Sequence, residues 1–111
     1  MANGILGSVD LPATTYTGVY LVPVDTFSVV TVSIVNKNST SITVRIAIAK
    51  TDPDGLTTPV ADDYLEYDTE ILPNGVLERT GIVIDESRQV FAYSSSANTG
   101  VMVYGIETAT A

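Results

Sequence analysis

Two neighbouring tracts, FSVVTVSIVN at residues 27–36 and SITVRIAIAK at residues 41–50, limit what this chain can become more than any other feature. In the second tract Ile42, Val44, Ile46 and Ile48 share one parity, and Thr43, Arg45, Ala47 and Ala49 share the other. Successive side chains of an extended strand point to opposite faces, so a period of two describes a strand with one buried face. The first tract sets Val30, Val32 and Ile34 against Phe27, Val29, Thr31, Ser33 and Val35. It is less one-sided, the pattern of a strand covered on both faces. With Lys37, Asn38, Ser39 and Thr40 between the tracts, the simplest arrangement is a long antiparallel hairpin.

The rest of the chain repeats the pattern. Residues 4–11 are a short apolar segment ahead of Pro12, readable as a first edge strand or as an extended arm that packs on a neighbour. TYTGVYLV at 15–22 reads as a strand in which Gly18 marks a bulge or close approach. Residues 51–63 hold two prolines, a glycine and four aspartates, and this longest loop suits a crossing between sheets or a contact loop. Residues 64–72 alternate Leu65, Tyr67, Thr69 and Ile71 with Glu66, Asp68 and Glu70, and Asn74-Gly75 then suits a turn with positive φ. Residues 76–84 read as a strand interrupted near Thr80 and Gly81, and 88–94 and 101–107 complete the set. Eight candidate strands without a helical period predict an all-β fold. The expected architecture is a single antiparallel two-sheet β-sandwich, either jelly-roll or immunoglobulin-like. Residues 1–14 are expected as the arm or edge strand and 15–111 as the sandwich domain.

Composition removes whole classes of chemistry. At 111 residues the chain is one domain by length and large enough for a real core. Thirteen acidic residues against five basic ones give a net charge of −8, which opposes nucleic acid and anionic membrane surfaces as partners. No stretch approaches the ~20 apolar residues of a membrane helix. The opening MANGILGSVDLPATT lacks a basic region and a long apolar run, so no secretory signal is expected and release into the cytoplasm of the cell that makes it is the default. Cysteine and histidine are both absent. That excludes thiolate metal sites and removes the usual general base and commonest metal ligand.

The remaining polar groups have competing readings. Asp52, Asp54, Asp62 and Asp63 offer oxygen ligands for Ca²⁺, but their order does not match an EF-hand, and a solvated acidic loop is preferred. Glu66 and Asp68 would lie about 7 Å apart on one strand face, a separation compatible with glycoside hydrolysis. The preferred alternative is a solvent-facing strand whose charges pair with Arg45, Arg79 or Arg88. Arg79, in LERTG, suits a cross-strand ion pair. Six tyrosines against two phenylalanines suit sandwich margins or recognition surfaces, and Tyr16 and Tyr20 are kept as interface candidates. No catalytic, cofactor-binding or metal-ligating residue is assigned, and no cofactor is expected.

From Glu66 onward, EYDTEILPNGVLERTGIVIDESRQVFAYSSSANTGVMVYGIE resembles small β-rich virion proteins of tailed bacteriophages, especially those of marine and freshwater bacteria. EYDT at 66–69, NGVLERTGIV at 74–83 and VYGIE at 103–107 carry the resemblance, and MANGILG at 1–7 and VNKNSTSITVRIAIA at 35–49 fit it. It spans most of the chain apart from the acidic loop. The resemblance implies a non-enzymatic structural role on the outer surface of a particle, and carries no catalytic residues across. A lone sandwich of this size suits a capsid decoration (cement) protein contacting the major capsid protein or other virion subunits, as a homo-oligomer with a trimer favoured. The alternative is a tail, neck or baseplate-associated module that recognises a host glycan or protein. Interface candidates on the first segment are Ile5, Leu6, Val9 and Leu11.

Overall fold

The computed structural model describes residues 3–50 and 59–110. Eight strands follow in order: β1 (Asn3–Leu11), β2 (Thr17–Leu21), β3 (Thr26–Asn36), β4 (Ile42–Lys50), β5 (Tyr64–Ile71), β6 (Val76–Ile84), β7 (Arg88–Ser94) and β8 (Thr99–Ala109). A short 3₁₀ turn, Ala61–Asp63, precedes β5. Two antiparallel four-stranded sheets result, ordered β1-β8-β3-β6 and β2-β7-β4-β5. First strand pairs with last, second with seventh, third with sixth and fourth with fifth. This nested order is that of a jelly roll, which decides between the two sandwich types expected.

The hairpin expected from the two central tracts does not form. β3 lies between β8 and β6 in the first sheet, whereas β4 lies between β7 and β5 in the second. The link at 37–41 is an arch that carries the chain from one sheet to the other. Asn36 explains the arch: it is fully buried, and its Nδ2 donates to the carbonyls of Thr40, Ile71 and Leu72 at 2.9, 3.1 and 3.1 Å. Its Oδ1 accepts from the backbone N–H and the Nδ2 of Asn38. One side chain thus satisfies backbone groups that a hairpin ladder would otherwise have paired.

The acidic loop reverses the other way. β4 and β5 are antiparallel neighbours in one sheet, so this connection returns to its own sheet instead of crossing. Residues 51–58, including Asp52 and Asp54 of the Ca²⁺ reading, lie outside the described residues.

Parity holds for the core. Val30, Val32 and Ile34 of β3 face Ile42, Val44 and Ile46 of β4 across the sandwich, joined by Val90, Val101 and Val103. Each is at most 3% exposed. Interdigitated β-branched side chains on both inner faces are the main source of stability in such a fold. Ala47, Ala49 and Phe91 form a second, smaller cluster on the outer face of the second sheet, covered by Tyr16 and Tyr64. Gly18 stands beside a register shift, where a Cβ would meet the Gln89 side chain at 2.1 Å. Near Gly81, which has φ +68°, β6 shifts register against β3.

Of the two alternatives expected for the first segment, the described residues 3–14 take the edge strand and not a separate arm. β1 is the edge strand of the first sheet and pairs with β8 from Asn3↔Ile106 to Leu11↔Thr99. Leu6 and Val9 pack against the core, and Leu11 is part of it at 1% exposure. The alternation expected of β5 also breaks. Asp68 takes φ +52° beside a register shift, which turns Tyr67 outward with Asp68 and leaves Glu66 half-buried.

Candidate interaction surfaces

Strand register builds the outer face of the first sheet. Rows run across it as Asn3–Ile106–Val29–Val83, Ile5–Tyr104–Thr31, Ser8–Met102–Ser33–Glu78 and Asp10–Gly100–Val35–Val76. Ile5, Val76, Val83, Met102 and Ile106 are half of the chain's large, exposed apolar residues within the described region, and all five lie here. Its strand positions carry two acids, Asp10 and Glu78. Lys37 pairs with Asp10 at 3.1 Å at one end. The Tyr104 hydroxyl donates to Glu78 at 3.0 Å, and this bond to a carboxylate raises the Tyr104 pKa. An open groove of about 530 Å³ lies at the Lys37 end. Small residues, Ser8, Ser33 and Gly100, make it concave between Met102 and Val35.

The outer face of the second sheet is different in kind. Arg45, on β4, lies over the rings of Tyr67 at 4.2 Å and Tyr93 at 4.7 Å. Its Nε and Nη2 donate to the two carboxylate oxygens of Asp68 at 2.7 and 3.3 Å, and its Nη1 donates to the Tyr16 hydroxyl at 2.7 Å. Hydrogen bonding to Asp68, then to Tyr16, holds the guanidinium charged well above its ordinary range. Tyr16 also packs on Tyr93 at 4.7 Å and bonds the Tyr64 hydroxyl at 2.6 Å. Burial, with the Tyr16 bond second, pushes Tyr64 up to about 12. The result is a platform of four tyrosines organised around one cation.

The six interface candidates do not form one surface. Ile5 is 65% exposed on the first sheet, and Tyr16 belongs to the platform on the second. Leu6, Val9 and Leu11 point inward. Tyr20 is 8% exposed, and its hydroxyl bonds Ser28 at 2.6 Å and donates to Glu107 at 2.5 Å. That trio ties β2 of one sheet to β3 and β8 of the other. Burial, then the Glu107 carboxylate, pushes Tyr20 up to about 12. Leu11 and Tyr20 are therefore core residues, because inward parity places them there.

The carboxylates considered for glycoside hydrolysis have other partners. Glu66 accepts from Arg79 at 2.6 Å and from Thr69 at 2.7 Å, while Asp68 is taken by Arg45. The Glu66–Arg79 bridge joins the edge strands β5 and β6 across the two sheets, the ion-pair role expected of Arg79. Arg88 pairs with Asp85 at 3.4 Å. Among the described residues no group of three or more acidic side chains is placed to hold a metal ion, and no helix is long and apolar enough to cross a membrane.

Met102, Ile106, Val76 and Val83 are the surface residues that sequence reasoning passed over. The signal was present in β3, whose outward side Phe27, Val29 and Val35 is apolar as well. Compared with protein-family models, curated proteins and solved structures, the chain finds no match in any of the three.

Proposed function

We propose that this chain is a non-enzymatic structural subunit of a phage virion, a decoration (cement) protein on the outer surface of the capsid. Its function is to hold neighbouring subunits together through contacts repeated around the shell, with further copies of this chain as well as with the major capsid protein. The observation that carries this reading is the apolar outer face of the first sheet. Single exposed apolar side chains are ordinary on a protein surface, but five gathered on one face from β1, β6 and β8, beside half-buried Val29 and Val35 of β3, mark a contact site. The sequence resemblance supplies the particle. Counting copies in purified particles tests the reading: hundreds are expected, and a dozen or fewer overturns the decoration role.

The tyrosine platform around Arg45 favours a second reading, a tail, neck or baseplate module that recognises a host surface glycan or protein. Aromatic faces beside fixed polar groups suit sugar and protein recognition. This reading expects low copy number and reduced adsorption to the host after Tyr67→Ala, a side chain 58% exposed. Unchanged adsorption contradicts it.

A further inference from the structure

We infer that the outer face of the first sheet takes the same face of a second copy, in an antiparallel two-fold pair. This rests on the reading of the chain as an assembly subunit, and names the occupant of its apolar face. Three observations support self-pairing.

The first is shape. Ile106, Val83 and Ile5 project at one end of the face, and the groove floored by Ser8, Ser33 and Gly100 lies at the other. A two-fold axis in the plane of the face and perpendicular to the strands lays the projecting end of one copy over the groove of its partner. Knob and hole on one surface are what an isologous interface requires.

The second is charge. The chain carries −8, which would drive copies apart. On this face, Asp10 and Glu78 are offset in part by Lys37, leaving a net of −1. Most of the repulsive charge therefore lies elsewhere on the molecule.

The third is area. Four strands spaced ~4.8 Å apart, each about nine residues rising ~3.3 Å, cover roughly 570 Å² per copy. A pair then buries about 1,100–1,200 Å², just under the ~1,200–2,000 Å² of stable specific interfaces and in the range of weak, reversible association. Face-to-face sheets pack ~10 Å apart in the way the two sheets of one sandwich do. Such pairing closes at two chains, which departs from the trimer expected of the resemblance.

Sedimentation velocity on the full chain tests this from micromolar to ~100 µM, a range suited to an interface of this size. The expected species has twice the 11.7 kDa chain mass. Ile106→Glu places a charge on the projecting end of the face and is expected to give a single-chain mass with an unchanged circular-dichroism spectrum. Val83→Glu, at a position 69% exposed on an edge strand, serves the same purpose should the first variant fail to fold. Leu21→Glu, on the second sheet, is expected to stay paired. A wild-type chain that remains single at ~100 µM, a mass of three or more chains, or dissociation by Leu21→Glu but not by the face variants overturns the inference. A chain abundant in particles yet single in solution overturns the pairing alone, whereas a paired chain missing from particles overturns the virion reading alone.

Discussion

Replacing Asn36 with alanine tests what makes the chain arch between sheets where a hairpin was expected. The Asn36 amide has two hydrogens facing three carbonyls, those of Thr40, Ile71 and Leu72, so one hydrogen is shared. Its oxygen accepts two N–H groups from Asn38. Alanine removes all five contacts, equivalent to about four hydrogen bonds because two of them share one hydrogen, at a position with no solvent exposure. At about 1 kcal/mol net for each, with buried groups left unpaired, the loss is about 3–4 kcal/mol. For a domain of this size that lowers Tm by about 10–20 °C. Urea unfolding followed by circular dichroism measures it, with an unchanged m-value showing that the native and unfolded states keep their exposed areas. Asn36→Asp sharpens the test, because it keeps size and the acceptor for Asn38 but turns a carboxylate oxygen towards three carbonyls. It is expected to cost at least as much as alanine at neutral pH. A loss below about 1 kcal/mol for alanine, or near-wild-type stability for aspartate, refutes the claim that this amide holds the arch.

Other outcomes follow from the core and its polar tie. Tyr20 is held at about 12 against an ordinary value of 10.0, so its contribution is complete below pH 10 and lost as pH rises through 12. Over that window the unfolded state releases its proton first, and stability falls by about 2–3 kcal/mol. Tyr20→Phe is expected to lessen that fall, without removing it because Tyr64 is raised in the same direction, and to cost about 1–2 kcal/mol at neutral pH through the lost partner of Ser28 and Glu107. Urea titrations across the window check both, and an identical alkaline slope in the variant contradicts the assignment. Ile46→Asp buries an unpaired charge at a site of 0% exposure and is expected to unfold the domain, whereas an unchanged melting temperature would show the parity to be wrong. Deleting residues 2–10 removes most of β1, with the packing of Leu6 and Val9, and uncovers the edge of β8. Loss of folded, soluble protein is expected, and a well-folded truncation would return β1 to the status of a detachable arm.

Strands were legible because side-chain alternation is a local property. Val44, Ile46 and Val90 declare an inward face whatever strand lies beside them. Their partners were not legible, since a four- or five-residue link serves a hairpin and a sheet-to-sheet arch equally well. What separates the two is the buried Asn36, whose bonds to Ile71 and Leu72 reach 35 and 36 residues along the chain. Bulges had the same limit. Gly18 and Gly81 announced theirs, because glycine punctuates a strand pattern. Asp68 did not, because its side chain looks like any polar residue on an alternating face, and its positive φ rotates Tyr67 into the platform with Arg45. The two candidate surfaces depend on these long-range features. The first sheet's outer face combines one side of β3 with residues 5, 76, 83, 102 and 106, and the platform combines residues 16, 45, 64, 67, 68 and 93. Only the strand order assembles either set. Tyr16 was recognisable as a surface aromatic, whereas Tyr20 differs from it chiefly by inward parity.

The central claim is that this chain works through contacts made by the outer face of the first sheet. Hydroxyl-radical footprinting of the free chain at low concentration and of its assembled form, paired or particle-bound, measures that face directly. Met102, a readily oxidised side chain 40% exposed on the face, is expected to lose most of its reactivity on assembly. Ile106 and Val83 should be protected with it, while Leu21 on the opposite sheet keeps its rate. Equal modification of Met102 in both forms, with protection appearing at Leu21 instead, contradicts the account.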